Sequence, residues 1–191
     1  MSLISMWKYT SAGPERKPGI GRPVFSTAGA IFGHMSEHAL PREIERKWLL
    51  SALPPRVLGL MPSTLHQGYL PGDTLVERIR GITSGDRTVW IRTVKLGRGI
   101  SRIEVEEPAT AALGEALFAL TRGKRVAKLR YAVTDGALTW EIDEFTDRAL
   151  VLAEVELPRE DTVVELPVWL APYVVREVTN EREFTNWQLA R

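Results

Sequence analysis

The sequence predicts an α+β domain dominated by antiparallel strands, a set able to close into a barrel. Three observations carry this expectation. Apolar and polar residues alternate with a period of two through most of the chain beyond Pro41. Turn residues punctuate the alternation: PGD at 71–73, SGD at 84–86, GRG at 97–99 and DG at 135–136, the last a short-range hairpin signal. One stretch alone, TAALGEALFAL at 110–120, has a convincing helical period, with Leu113, Leu117 and Leu120 at i, i+4 and i+7.

In chain order, strands are expected at 42–50, 65–70, 75–82, 87–96 and 101–107, each bounded by one of these turns or by proline. The helix at 110–120 follows, its three leucines expected in the core. Further strands are expected at 124–134, 137–145, 150–157 and 174–183, and Pro167 opens a short helical turn through PVWLA. Many antiparallel strands with one or two helices define the α+β class. Trp48, Trp90, Trp140, Trp169 and Trp187 are expected on the barrel exterior, packed against helices.

The first 34 residues differ from the rest. They are rich in Gly and Pro, poor in acidic residues and without either period, as expected of a disordered leader or extension. Their basic, acid-poor character also suits a transit peptide, and a start at Met35 would remove them. The folded domain is therefore expected over 35–191.

The 191 residues are 44% hydrophobic and 26% charged, enough for one domain with a core. A net charge of +1 gives no global electrostatic reason for a nucleic-acid or membrane partner. The absence of cysteine excludes disulfides, thiolate zinc sites and cysteine nucleophiles, and it suits a cytoplasmic location. No apolar run approaches the roughly 18 residues that span a bilayer. His34, His38 and His66 lack metal-ligand spacing and are expected in surface or core roles.

The charges carry the functional signal. Glu43, Glu45 and Lys47 fall on one face of REIERKWLL, and the pattern recurs as Arg78 and Arg80, then Lys95, then Arg102 with Glu104 and Glu106. It continues through Lys128 and Arg130, Glu141 and Asp143, and Glu154 and Glu156, with Arg182 near the C-terminus. A wet sheet face also alternates, but it mixes Thr, Ser and Gln with its charges. These positions are almost entirely charged and come in like-charge doublets, which repel unless something of opposite charge lies between them. Carboxylate doublets are hard oxygen ligands suited to Mg²⁺ or Mn²⁺. Arginine and lysine doublets match phosphate oxygens. A site with both kinds suits a metal–polyphosphate complex.

EIERKWLL resembles the ExExK signature of the CYTH superfamily, the triphosphate tunnel metalloenzymes. The likeness continues in order through QGYL (67–70), ERIR (77–80), TVK (93–95), RIEVEEP (102–108), KLRY (128–131), WEIDEF (140–145), LAEVEL (152–157) and VTNEREFTN (178–186). It implies an eight-stranded antiparallel tunnel, with helices outside, that binds a small-molecule triphosphate and divalent metal. Carried over, Glu43, Glu45, Asp143, Glu154 and Glu156 would serve the metal, joined less securely by Glu104 and Glu106. Lys47, Arg78, Arg80, Lys95, Arg102, Lys128, Arg130 and Arg182 would grip phosphate. Lys47, Glu45 and Glu156 are the candidates for a part in catalysis. Glu77 and Arg92 depart from the family pattern, and parity puts both on the outer face.

The expected reaction is metal-dependent hydrolysis, with inorganic tripolyphosphate as first substrate. A thiamine or nucleoside triphosphatase, a class IV-type adenylate cyclase, and a non-catalytic polyphosphate-binding module remain as alternatives. TRGKR at 121–125 lacks the spacing and the Ser or Thr of a P-loop.

Overall fold

A computed structural model of the protein describes residues 41–72, 75–97 and 100–190. The expectations for the leader, and for His34 and His38, lie outside these residues. Nine strands form among the described residues: β1 (Arg42–Leu50), β2 (Ser63–Tyr69), β3 (Val76–Ser84), β4 (Arg87–Leu96), β5 (Ser101–Ala109), β6 (Arg125–Asp135), β7 (Leu138–Phe145), β8 (Val151–Glu156) and β9 (Val174–Glu177). Helix α1 spans Ala111–Leu120, and a short α2 spans Asn186–Leu189.

The strands are antiparallel in the order β5-β4-β3-β2-β6-β7-β8-β1, and pairing of β5 with β1 closes eight of them into a barrel. Closure rests on three register pairs, Arg42 with Ile103, Glu43 with Arg102 and Ile44 with Ser101. Farther along the same edge, β1 leaves β5 and takes up β9 at Trp48–Leu50. Two-residue loops join β3 to β4 and β6 to β7, with Gly85 at φ +57° and Gly136 at φ +59°, where a side chain would be strained.

Alternation divides the barrel into two apolar clusters. On the outer face of β6, β7, β8 and β1, Trp48, Tyr131, Val133, Trp140, Ile142, Ala153 and Val155 are buried under Val57, Leu157 and Leu170 of the connecting segments. Trp48 and Trp140 pack ring to ring at 5.1 Å. Pro167 does open a helical turn here, its carbonyl accepting from the amides of Leu170 and Ala171.

The second cluster is on the inner face. Tyr69, Val126, Phe145 and Leu152 fill one end of the barrel, backed by Val178, Phe184, Trp187 and Ala190 of the C-terminal segment. That segment therefore closes this end. Trp187 serves it there and does not pack the exterior as the sequence suggests. The strand expected over 174–183 ends at Glu177, and Arg182 begins a 3-10 turn, Arg182–Phe184.

α1 is capped by Thr110, whose hydroxyl accepts from the Leu113 amide at 3.3 Å. It packs with a face other than the expected one. Leu113 and Leu120 are exposed, while Gly114 is buried against Trp90 and Phe118 meets the same ring at 5.6 Å. A Cβ on Gly114 would lie 2.2 Å from Trp90 Cγ, so the indole seats itself where the helix has no side chain. A wide aromatic ring on β4 thus overrides the leucine stripe.

Candidate active site: a barrel interior lined with charge

Directly opposed residues share a sheet face, so the register shows what points inward. Around the barrel, Glu43 opposes Arg102, Lys95 opposes Glu104, Arg78 opposes Thr93 and Tyr69, and Arg80 opposes Gln67. On the other wall Arg130 opposes Asp143, Glu141 opposes Glu154, Lys47 opposes Glu154, and Glu45 opposes Glu156. Every charged residue singled out in the sequence, Arg182 apart, falls on this face. Glu77 and Arg92 are on the other, paired at 2.5 Å and, for Arg92, with Glu107 at 3.0 Å.

Inside, cations and carboxylates interlock. Lys47 Nζ lies 3.2 Å from Glu45 and 2.7 Å from Glu154. Burial alone would lower the Lys47 pKa, but the charges of Glu154 and Glu45 outweigh it and hold the ammonium form. Glu154 is the converse case: burial favours its neutral form, and Lys47, Lys128 and Arg130 hold its pKa well below the ordinary range. Arg130 reaches Asp143 through Nε at 2.7 Å and Glu154 through Nη2 at 2.7 Å, and it also pairs with Glu141. Asp143 pairs with Lys128 as well.

The other half is built alike. Arg78 Nη2 donates to Thr93 Oγ1 and Glu106 Oε1, each at 2.9 Å, and contacts Glu104 at 3.4 Å. Lys95 Nζ is 3.2 Å from Glu43, and Arg102 Nη2 is 3.1 Å from Glu45. Burial lowers the Lys95 pKa, helped by Arg78 and Arg102 against Glu43 and Glu104. Among the described residues, the ion-pair partner of Arg80 is Glu106, at 3.3 Å. Burial, with Arg78 and Arg130 nearby, brings Arg80 down to about 10. Among the described residues, the Nε–H groups of Arg78, Arg80 and Arg102 are buried with no hydrogen-bond partner, although the Arg102 Nε lies 3.8 Å from Glu104. Donors left unsatisfied on the inner face of the barrel are what an anion with many oxygens would satisfy.

The carboxylates show the complementary surplus. Glu45 and Glu156 face each other as like charges, as do Glu141 and Glu154. Glu156 has no hydrogen-bond or ion-pair partner among the described residues, and burial, then Glu43 and Glu141, push its pKa up. Burial also raises Glu141, with Asp143 and Glu154 adding to the rise, although Arg130 opposes it. Among the described residues no three Asp, Glu or His side chains cluster so as to hold a metal ion as they stand. Their oxygens turn to lysine and arginine, as an acidic donor set does when its neighbours are cations. The donors are nonetheless all hard carboxylate oxygens, the chemistry that fits Mg²⁺ or Mn²⁺, and Glu156, opposite Glu45 and repelled by Glu43 and Glu141, is where a cation would relieve repulsion.

A cavity of about 460 Å³ lies where β1 passes from β5 to β9, lined by Glu45, Lys47, Lys95 and Arg102 and by Asn180, Arg182, Asn186 and Gln188 of the C-terminal segment. Arg182 thus borders the charged interior from a turn rather than from a strand. Reading for charge alone missed the neutral inward residues Gln67, Tyr69 and Thr93. Parity of β2 and β4, anchored on Arg78 and Arg80, would have found them. Glu141 was legible in its doublet with Asp143, although the family pattern gave it no role. His66 is exposed on β2.

Fold and site together define a closed antiparallel barrel with a bore of alternating acids and bases. No family model matches the chain. It is 36% identical over 156 residues to an inorganic triphosphatase of Nitrosomonas europaea, spanning 78% of this chain and 96% of that one. It is 33% identical over 163 residues to an inorganic triphosphatase of Acetivibrio thermocellus, spanning 78% and 94%. The crystal structure of the inorganic triphosphatase NE1496 superposes with a TM-score of 0.53 at 30% identity, covering 83% of this chain and 97% of that one. The chain belongs to the CYTH superfamily, the triphosphate tunnel family.

Proposed function

We propose that this protein hydrolyses a terminal phosphoryl group from a triphosphate held inside the barrel, with inorganic tripolyphosphate as its first substrate. The observation that carries the reading is the inward ring of lysines and arginines, in which, among the described residues, the buried Nε–H donors of Arg78, Arg80 and Arg102 lack a hydrogen-bond acceptor. Its support is the likeness to two proteins named inorganic triphosphatase.

In this reading Arg78, Arg80, Lys95, Arg102, Lys128 and Arg130 bind the phosphate oxygens, and Arg182 meets the anion at the mouth. Lys47, kept charged by Glu154 and Glu45, stabilises the negative charge that spreads over the transferred group. Glu43, Glu45, Glu154 and Glu156 are the first choice to hold Mg²⁺ or Mn²⁺, with Glu104, Glu106 and Asp143 as further carboxylates. Bound there, the ion would supply Lewis-acid polarisation of phosphate oxygens and a more acidic water. Glu45 and Glu156 are the carboxylates that would, besides holding the ion, accept a hydrogen bond from an attacking water through a free oxygen.

Phosphate release from tripolyphosphate, thiamine triphosphate, ATP and pyrophosphate, each with Mg²⁺, with Mn²⁺ and with chelator, tests the proposal. Metal-dependent release chiefly from tripolyphosphate is expected. Release chiefly from an organic triphosphate would move the substrate assignment. ATP cyclisation would convert the reading to a cyclase, and binding with no turnover would leave a polyphosphate-binding module.

A further inference from the structure

Two neutral side chains stand among the inward charges. Gln67 is fully buried, and its Nε2 donates to Tyr69 Oη at 3.2 Å. With the nitrogen so committed, the amide presents Oε1 on its other side, and that oxygen is buried without a partner. Directly opposite on β3 is Arg80, whose Nε–H is likewise buried and unpartnered. Among the described residues neither group has a hydrogen-bond partner, so two paired inward residues carry an unsatisfied acceptor and an unsatisfied donor that are not bonded to each other. A solvated-face role is excluded for Gln67 by its burial, and an apolar residue would fill the space without leaving an amide oxygen unsatisfied.

The two arginines of β3 differ in a way that gives this meaning. Arg78 is fixed by Thr93, Glu104 and Glu106, whereas among the described residues Arg80 shares just the Glu106 oxygen. Arg80 is thus the less anchored fork, and a fork must be aimed before it can bind phosphate oxygens in pairs.

We propose that Gln67, oriented by the Tyr69 hydroxyl, is a positioning residue for Arg80: its carbonyl oxygen, not bonded to the Arg80 Nε–H as the site stands, accepts that donor when the Nη groups turn to the polyphosphate. This rests on the reading of the barrel as a triphosphate site. It adds a residue that acts through another and need not touch the substrate.

The test is a double-mutant cycle on the full chain, read as KM and kcat for tripolyphosphate with excess Mg²⁺. Gln67→Leu is expected to lower kcat/KM by roughly 10- to 100-fold, chiefly through KM, as for a lost hydrogen bond to a charged group. In an Arg80→Ala background the same change is expected to have almost no further effect. A Gln67→Leu loss that persists undiminished without Arg80, or no loss at all, overturns the inference. Should Gln67→Leu fail to fold by circular dichroism, Tyr69→Phe carries the test, with a smaller rise in KM that also disappears without Arg80. Wild-type protein that neither binds nor hydrolyses tripolyphosphate overturns the functional reading itself, an outcome distinct from additive variants of an active enzyme.

Discussion

Replacing Glu156 by Gln should make the metal-free protein more stable and the metal-bound protein less so. Glu156 opposes Glu45 across β8 and β1 and has no cation partner among the described residues. Opposed side chains begin about 5 Å apart, and two unit charges about 6 Å apart repel by about 3 kcal/mol at an effective dielectric near 20. Lys47 and Arg102 offset part of the Glu45 charge. Glu156 is covered on its barrel side but otherwise open to solvent, so screening leaves about 1 kcal/mol to be gained. For a domain of this size that is about 2–4 °C in Tm. Thermal unfolding of wild type and Glu156→Gln in chelator should show that rise. In Mg²⁺ at about a hundred times its Kd, wild type should gain about 2.7 kcal/mol and the variant much less, so the order reverses. A variant less stable in chelator would refute the repulsion, and an equal gain from Mg²⁺ would refute the role of Glu156 as a ligand.

Other changes test the frame around the site. Asp143→Asn leaves the buried Lys128 and the half-buried Arg130 without their shared carboxylate, and should cost about 3 kcal/mol in urea unfolding; no loss would show that the pairing is not structural. Gly114→Ala drives a Cβ into Trp90 and should destabilise by about 1–3 kcal/mol, with altered near-ultraviolet dichroism of the indole. Glu177 has its pKa lowered by the hydrogen bond from Arg46, against desolvation. Its contribution is therefore complete above the ordinary value of 4.5 and lost as pH falls through the lower folded value. Wild type should lose more stability than Glu177→Gln across that window, and parallel pH profiles would contradict the assignment.

Much of the barrel was legible because strand parity is a local property. Once Glu43 and Lys47 were set on one face, the doublets of β3, β5, β6, β7 and β8 followed without knowledge of the pairing. Parity also put Glu77 and Arg92 outside. What failed depended on long-range packing. The face that α1 buries is chosen by the Trp90 ring against Gly114, and the leucine period of α1 carries no trace of that. The end of β9 is set by the C-terminal segment turning inward to cover Phe145 and Leu152, which moves Arg182 out of a strand and to the rim of the cavity. Gln67, Tyr69 and Thr93 were passed over because neutral side chains join a charged site through burial, and burial is not written in their types.

The central claim is most directly tested by following tripolyphosphate with phosphorus NMR in the presence of the protein and Mg²⁺, and again after chelator is added. Cleavage of a terminal phosphoryl group predicts pyrophosphate and orthophosphate appearing in equal amounts, at a rate that falls to background with chelator and in Lys47→Ala. Resonances of tripolyphosphate that stay unchanged with folded wild-type protein and Mg²⁺ would contradict it.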